Sequence, residues 1–125
     1  MTAVLDTNAL MMPVECDVRV FEELERLLGR ADCVTPRSVI DELEKLAGGA
    51  SEEAIAASVG RDLAERCTVV EADADYADDA VLEVAQRDGV EYAVTNDAPL
   101  NERLLDVGVP VIRLRGRHKL AITQP

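Results

Sequence analysis

The chain has 125 residues, 48% hydrophobic and 30% charged, the makeup of a single globular domain over residues 1–125. Its 25 acidic residues outweigh 13 basic ones for a formal net charge of −12, which marks an acidic surface and excludes a generally basic nucleic-acid coat. No apolar run nears the ~18 residues that cross a bilayer, no basic flank leads an apolar stretch, and three scattered cysteines make no disulfide framework or zinc knuckle, so a cytoplasmic protein is expected.

Residues Thr2 to Leu5 are β-prone and lead into Asp6-Thr7-Asn8. From Asp17 as N-cap, Val20, Phe21, Leu24, Leu27 and Leu28 recur at helical spacing until Gly29. Cys33 to Thr35 reads as a second strand, with Thr35 capping a helix that holds Pro36 in its first turn and is lined by Val39, Ile40, Leu43 and Leu46. After Gly48-Gly49, Ser51 caps a third helix through Ile55, Val59 and Leu63. Cys67 to Glu71 is a third strand, an acidic loop follows, and Val81, Leu82 and Ala85 mark a fourth helix ending at Gly89. Tyr92 to Thr95 is a fourth strand; Asn96-Asp97 opens a fifth helix with Pro99 in its first turn and Leu100, Leu104 and Leu105 inward. Val109 to Leu114 is a fifth strand, placed at an edge by Pro110, and Ala121 to Thr123 adds a short β segment. Alternating strands and helices predict a three-layer α/β/α fold around a parallel sheet of about five strands.

In such a sheet, ligands bind beyond the carboxyl ends of the strands. Asp6 follows the first strand and Asp97 the fourth, while Glu42 and Asp79 lie on the helices after the second and third. Judged singly, each acid has a plain structural role: Asp6 and Asp97 as helix caps, Glu42 paired with Lys45, Asp79 beside Asp78 at a helix start. Brought together, four carboxylates would repel one another unless a hard divalent cation such as Mg²⁺ or Mn²⁺ were held between them. Such ions activate water for phosphodiester hydrolysis. Arg113, Arg115, Arg117 and Lys119 would serve as a phosphate-holding patch beside a metal site, or as a solvated tail. The acidic surplus, with only Lys45 and Lys119 as lysines, resembles halophilic proteins, in whose solvent the Debye length shrinks toward ~3 Å and long-range repulsion from RNA is muted. The alternative is an acidic protein with a cationic partner.

Four segments, LDTNAL, VIDELEKL, ADDAVLEVA and AVTNDAPL, resemble in order the motifs of PIN-domain nucleases, and the resemblance covers nearly the whole chain. The tail GVPVIRLRGRHKL looks most like archaeal relatives of the PIN nuclease that processes small-subunit ribosomal RNA. The resemblance implies an Mg²⁺- or Mn²⁺-dependent endoribonuclease with Asp6, Glu42, Asp79 and Asp97 as catalytic acids. Asp6, Asp79 and Asp97 would hold metal, Glu42 would orient or deprotonate the attacking water, and Asn8 and Thr95 would support the cluster. Asp79 is preferred to Asp78 because Val81, Leu82 and Ala85 then match the family's apolar positions. Pro99 stands where many members carry a further acid, which leaves open whether one metal ion or two are held. A toxin nuclease and an rRNA-processing enzyme both remain open, with RNA, a second copy of the chain, and an antitoxin or ribosome-assembly factor as partners. Two other readings stand beside these: a catalytically silent RNA-binding PIN module, and a receiver-type signalling domain, which lacks here its acidic pair after the first strand and a clear Lys after the fifth.

Overall fold

A computed structural model describes residues 1–125. Strands β1 (Thr2–Leu5), β2 (Asp32–Pro36), β3 (Thr68–Val70), β4 (Tyr92–Val94), β5 (Val111–Arg115) and β6 (Lys119–Thr123) form one sheet in the order β3-β2-β1-β4-β5-β6. The first five are parallel and β6 returns antiparallel along β5. The helices are α1 (Thr7–Glu15), α2 (Val20–Leu28), α3 (Arg37–Leu46), α4 (Glu52–Leu63), α5 (Ala77–Ala85) and α6 (Ala98–Asp106). The chain steps from β1 out to β3, crosses back to β4, and steps the other way to β5. Right-handed crossovers therefore put α1 to α4 on one face and α5 and α6 on the other, as the packing of α1 and α3 on α4 and of α5 on α6 bears out. The result is a three-layer α/β/α fold with a mixed, mostly parallel sheet. Its strand order also separates the chain from receiver domains, whose sheet runs 2-1-3-4-5.

One cluster of 28 buried residues forms the core on both sides of β1 and β4. Ala3, Val4, Leu5, Ala93 and Val94 are fully buried, as central parallel strands covered on both faces must be.

Several elements depart from the sequence reading for identifiable reasons. No periodicity announces α1, because Ala9 to Met12 are all buried and Pro13 sits inside the helix; a helix enclosed by sheet and neighbouring helices has no polar face to betray it. Asp17 does not cap α2, which starts at Val20; Asp17 adopts a φ of 52° in the loop between α1 and α2. Strand β2 runs through Pro36, and the Thr35 hydroxyl donates to the Leu5 carbonyl at 2.9 Å instead of capping α3. Pro110 does not make β5 an edge strand: it lies just ahead of the strand, its carbonyl accepts from the Ala93 N–H at 3.1 Å, and β6 covers the outer side from Val111↔Thr123 to Arg115↔Lys119.

Ser51 caps α4 through the Ala54 N–H at 3.1 Å, but the stripe of Ile55 and Val59 faces outward. The buried face carries Ala54, Ala56, Ala57 and Gly60, because small residues let α4 approach the α1 backbone closely. A Cβ at Gly60 would stand 2.8 Å from the Leu10 carbonyl oxygen and 3.3 Å from Leu43 Cδ2. Gly60→Ala gains about 1 kcal/mol of helix propensity but overpacks a helix contact at a cost of about 1–3 kcal/mol. The expected result is a lower urea midpoint with an unchanged slope; an unchanged or higher midpoint would show that α1 yields freely there.

Candidate active site

The order of the strands reverses between β1 and β4, and the crevice at that switch point is where an open α/β sheet presents ligands. Asp6 stands at the end of β1 and Thr95 to Asp97 at the end of β4, so both segments open into it. Asp6 is 3% exposed. Its Oδ1 accepts from the Ala9 N–H at 2.7 Å, capping α1, and its Oδ2 accepts from the Thr95 hydroxyl. Thr95 Oγ1 in turn accepts from the Asp97 N–H at 3.1 Å, while Asp97 Oδ2 caps α6 through the Leu100 N–H at 3.0 Å. Asn8 Oδ1 accepts from the Asn96 N–H at 2.9 Å, and Asn96 Oδ1 accepts from the Leu114 N–H at 3.3 Å. These bonds tie the first turn of α1, the loop after β4 and strand β5 into one frame. The polar residues at positions 8 and 95 thus hold backbone together at the carboxyl end of the sheet.

Burial pushes the Asp6 carboxyl up from 3.8 to about 7, against the lowering effect of its bonds to Thr95 and Ala9 and with a further push from the charges of Asp78 and Asp97. Partial burial also raises Asp78, which is repelled by Asp97, Glu42 and Asp79 and relieved in part by Arg103. Asp6 therefore feels the charges of Asp78 and Asp97, and Asp78 those of Asp97, Glu42 and Asp79. Asp79 points elsewhere: its Oδ1 accepts from Arg103 Nη2 at 2.8 Å, in a half-exposed ion pair between α5 and α6. The geometric reason lies in helix spacing. Asp78 stands three and seven residues before the buried Val81 and Ala85 but is itself exposed at the margin of that face, while Asp79, one position further round, is partly covered against Arg103.

The donor set suits a hard divalent cation, being all carboxylate oxygen around a buried acid whose charge lacks a cationic neighbour. The side chains are not gathered into a closed shell, since no three His, Cys, Asp or Glu stand close enough to hold an ion as they lie. Both Asp6 oxygens are engaged with Thr95 and Ala9, and Glu42 and Asp78 stay open to solvent at the rim.

The basic run lies at the same end of the sheet. Arg113 and Arg115 are exposed on β5, Arg117 and His118 lie at the turn into β6, and Lys119 pairs across from Arg115. None of Arg113, Arg115, Arg117 and Lys119 forms an ion pair. Sequence reasoning passed over Tyr76, which is 77% exposed and lines a cleft with Ser38, Glu42 and Lys45; an aromatic immediately before Ala77-Asp78-Asp79 was the available signal. It also passed over Asn101, a buried polar residue on the inward side of α6.

A three-layer fold with acids near its switch point is an architecture that hosts many activities. The chain belongs to the PIN-like domain family, whose family model matches residues 3–117. It is 28% identical over 114 residues to ribonuclease VapC4 of Methanocaldococcus jannaschii, covering 88% of this chain and 87% of that protein. Among solved structures, the PIN domain endonuclease Utp24 superposes with a TM-score of 0.80 at 23% identity, covering 99% of this chain and 92% of that one. VapBC2 from Rickettsia felis, solved bound to a DNA fragment from its promoter, gives 0.66 at 13% identity over 92% and 100% of the two chains. A domain of a functionally unknown Methanocaldococcus jannaschii protein also gives 0.66, at 20% identity over 94% of each. The structural matches establish the PIN fold. Family membership and the curated relative support a nuclease-type function. No helix is long and apolar enough to cross a membrane.

Proposed function

We propose that this protein is a divalent-metal-dependent endoribonuclease that hydrolyses RNA phosphodiester bonds. The observation that carries the proposal is the Asp6 carboxyl, buried at the switch point and pushed to about 7 with Asp78 and Asp97 beside it. Asp6 caps α1 and accepts from Thr95, yet no cationic side chain pairs with this buried carboxyl. Asp6, Asp78 and Asp97 would hold Mg²⁺ or Mn²⁺, with Asp78 taking the place that the sequence reading gave to Asp79. Such an ion supplies charge neutralisation at the phosphate and lowers the pKa of water.

The chain's own groups do the remaining work. The Thr95 hydroxyl and the Ala9 N–H fix the Asp6 carboxylate so that it need not reorganise during the reaction. Glu42, at the open rim, accepts the proton of the attacking water. The Asp79–Arg103 pair pins α5 to α6 and holds Asp78 toward the crevice. Arg113, Arg115, Arg117 and Lys119 contact RNA phosphates. Cleavage would leave a 5′-phosphate and a 3′-hydroxyl. The acidic surface suits a salt-rich cytoplasm, so the reaction belongs in molar KCl.

Incubating metal-stripped protein with end-labelled RNA in molar KCl is the test. Cleavage that appears only with Mn²⁺ or Mg²⁺ is expected. Intact RNA across substrates that the protein demonstrably binds would instead make it a silent RNA-binding PIN module.

A further inference from the structure

Helix α6 and the β5–β6 hairpin enclose a cavity of about 390 Å³ whose polar lining includes Asn96, Asn101, Arg113, Arg115 and Thr123. We infer that this cavity is a nucleotide-holding pocket, binding one ribonucleotide next to the cleaved bond, with the phosphate on Arg113 and Arg115 and the base or ribose edge on Asn101. The inference rests on the ribonuclease reading and adds to it where the strand is gripped.

Asn101 is the first reason. It is 4% exposed on the inward side of α6, between Leu100 and Leu104, where an apolar residue would pack without penalty. Its Oδ1 is buried with no hydrogen-bond partner. Leaving such a group unpaired costs about 1–3 kcal/mol, a cost that turning the carboxamide toward the adjacent cavity, where an N–H or O–H donor can meet the oxygen, would remove. A carboxamide suits a nucleotide because it offers a donor and an acceptor side by side to a base edge or ribose hydroxyl.

The two arginines are the second. Arg113 and Arg115 alternate onto the same side of β5, and Arg113 stands opposite Ala121, whose small side chain leaves room for the guanidinium. Neither forms an ion pair, although acids outnumber bases 25 to 13. Planar guanidinium groups match phosphate oxygens.

Continuity with the acid cluster is the third. Asn101 lies one helical turn beyond Asp97 on α6, about 6 Å along the axis. Asn96, also in the lining, is hydrogen-bonded through its N–H to Asn8 and through its Oδ1 to the Leu114 N–H. The pocket is thus built on the same frame that holds Asp6 and Asp97.

The test is a ¹⁵N NMR titration of the full chain in molar KCl with AMP, CMP, GMP and UMP in turn, beside inorganic phosphate. At least one nucleotide should shift the Asn101 side-chain amide and the Arg113 and Arg115 signals, and bind more tightly than phosphate. Asn101→Leu should weaken that nucleotide about tenfold, the worth of one hydrogen bond of ~1.4 kcal/mol, while its melting temperature stays equal or rises. Equal response to phosphate and every nucleotide would reduce the site to an unspecific anion patch, and silence at Asn101 would overturn the inference. Should Asn101→Leu fail to fold, Arg113→Ala in the same titration decides, with unchanged nucleotide affinity counting against the pocket. The titration needs no cleavage, so a pocket that fails beside a working nuclease, or binds without one, is told apart directly.

Discussion

Asp6→Asn is expected to abolish RNA cleavage and, without metal at about pH 8, to make the protein more stable. The Asp6 carboxyl is pushed from 3.8 to about 7, burial being the main cause. The folded protein therefore keeps a proton that the unfolded chain releases above about pH 4. The stability linked to that proton is complete below the unfolded pKa and is lost as pH rises through about 7. A shift of this size corresponds to about 4 kcal/mol. Asparagine needs no proton, can still accept from Ala9 or Thr95 and remains a good helix cap, but it loses one acceptor oxygen. The net gain at about pH 8 should be about 2 kcal/mol, which is roughly 8 °C in Tm for a domain of this size. Thermal unfolding followed by circular dichroism at about pH 5 and pH 8 reads both halves. The wild type should lose distinctly more stability across that range than the variant, in which Asp78 is still raised by burial. Retained cleavage, or a variant less stable than wild type at about pH 8, would contradict the account.

The second large effect separates two neighbouring acids. Asp78→Asn is expected to lower the cleavage rate at least a hundredfold, because Asp78 shares the crevice with Asp97, Glu42 and Asp6. Asp79→Asn removes only a half-exposed ion pair with Arg103, worth no more than about 1 kcal/mol, and should change the rate by less than tenfold. Parallel measurement of cleavage and urea midpoint for the two variants makes the comparison. The reverse ranking would restore Asp79 to the place the sequence reading gave it.

The choice between these two acids is where helix periodicity alone stops. Helix periodicity places Asp78 and Asp79 on one turn, and only the folded chain shows Asp79 paired with Arg103 and Asp78 open at the rim. The punctuation was legible: Ser51 and Asp97 cap α4 and α6 by their side chains, as their position before apolar-periodic runs implied. The alternation of β-prone and helical runs was enough for the layer architecture and for placing Asp6 and Asp97 at strand ends. Helix α1 was illegible because a helix buried on most sides carries no period. The Ile55–Val59–Leu63 spacing misdirected for the opposite reason: tight contact with α1 selects Ala56, Ala57 and Gly60, so α4 turns part of its larger residues to solvent. Asn101 gave no signal either, since an unpaired carboxamide is conspicuous only once its surroundings are known to be closed.

The central claim is that the carboxylates at the β1–β4 switch point hold a divalent cation. Its most direct test is the thermal midpoint of metal-stripped wild type and Asp6→Asn at about pH 8, with and without Mn²⁺. At a hundredfold excess over the dissociation constant, specific binding stabilises the folded state by about 2.7 kcal/mol, so the wild-type midpoint should rise by roughly 10 °C while the variant's stays fixed. A wild type indifferent to Mn²⁺, or a variant that gains as much, would contradict the claim.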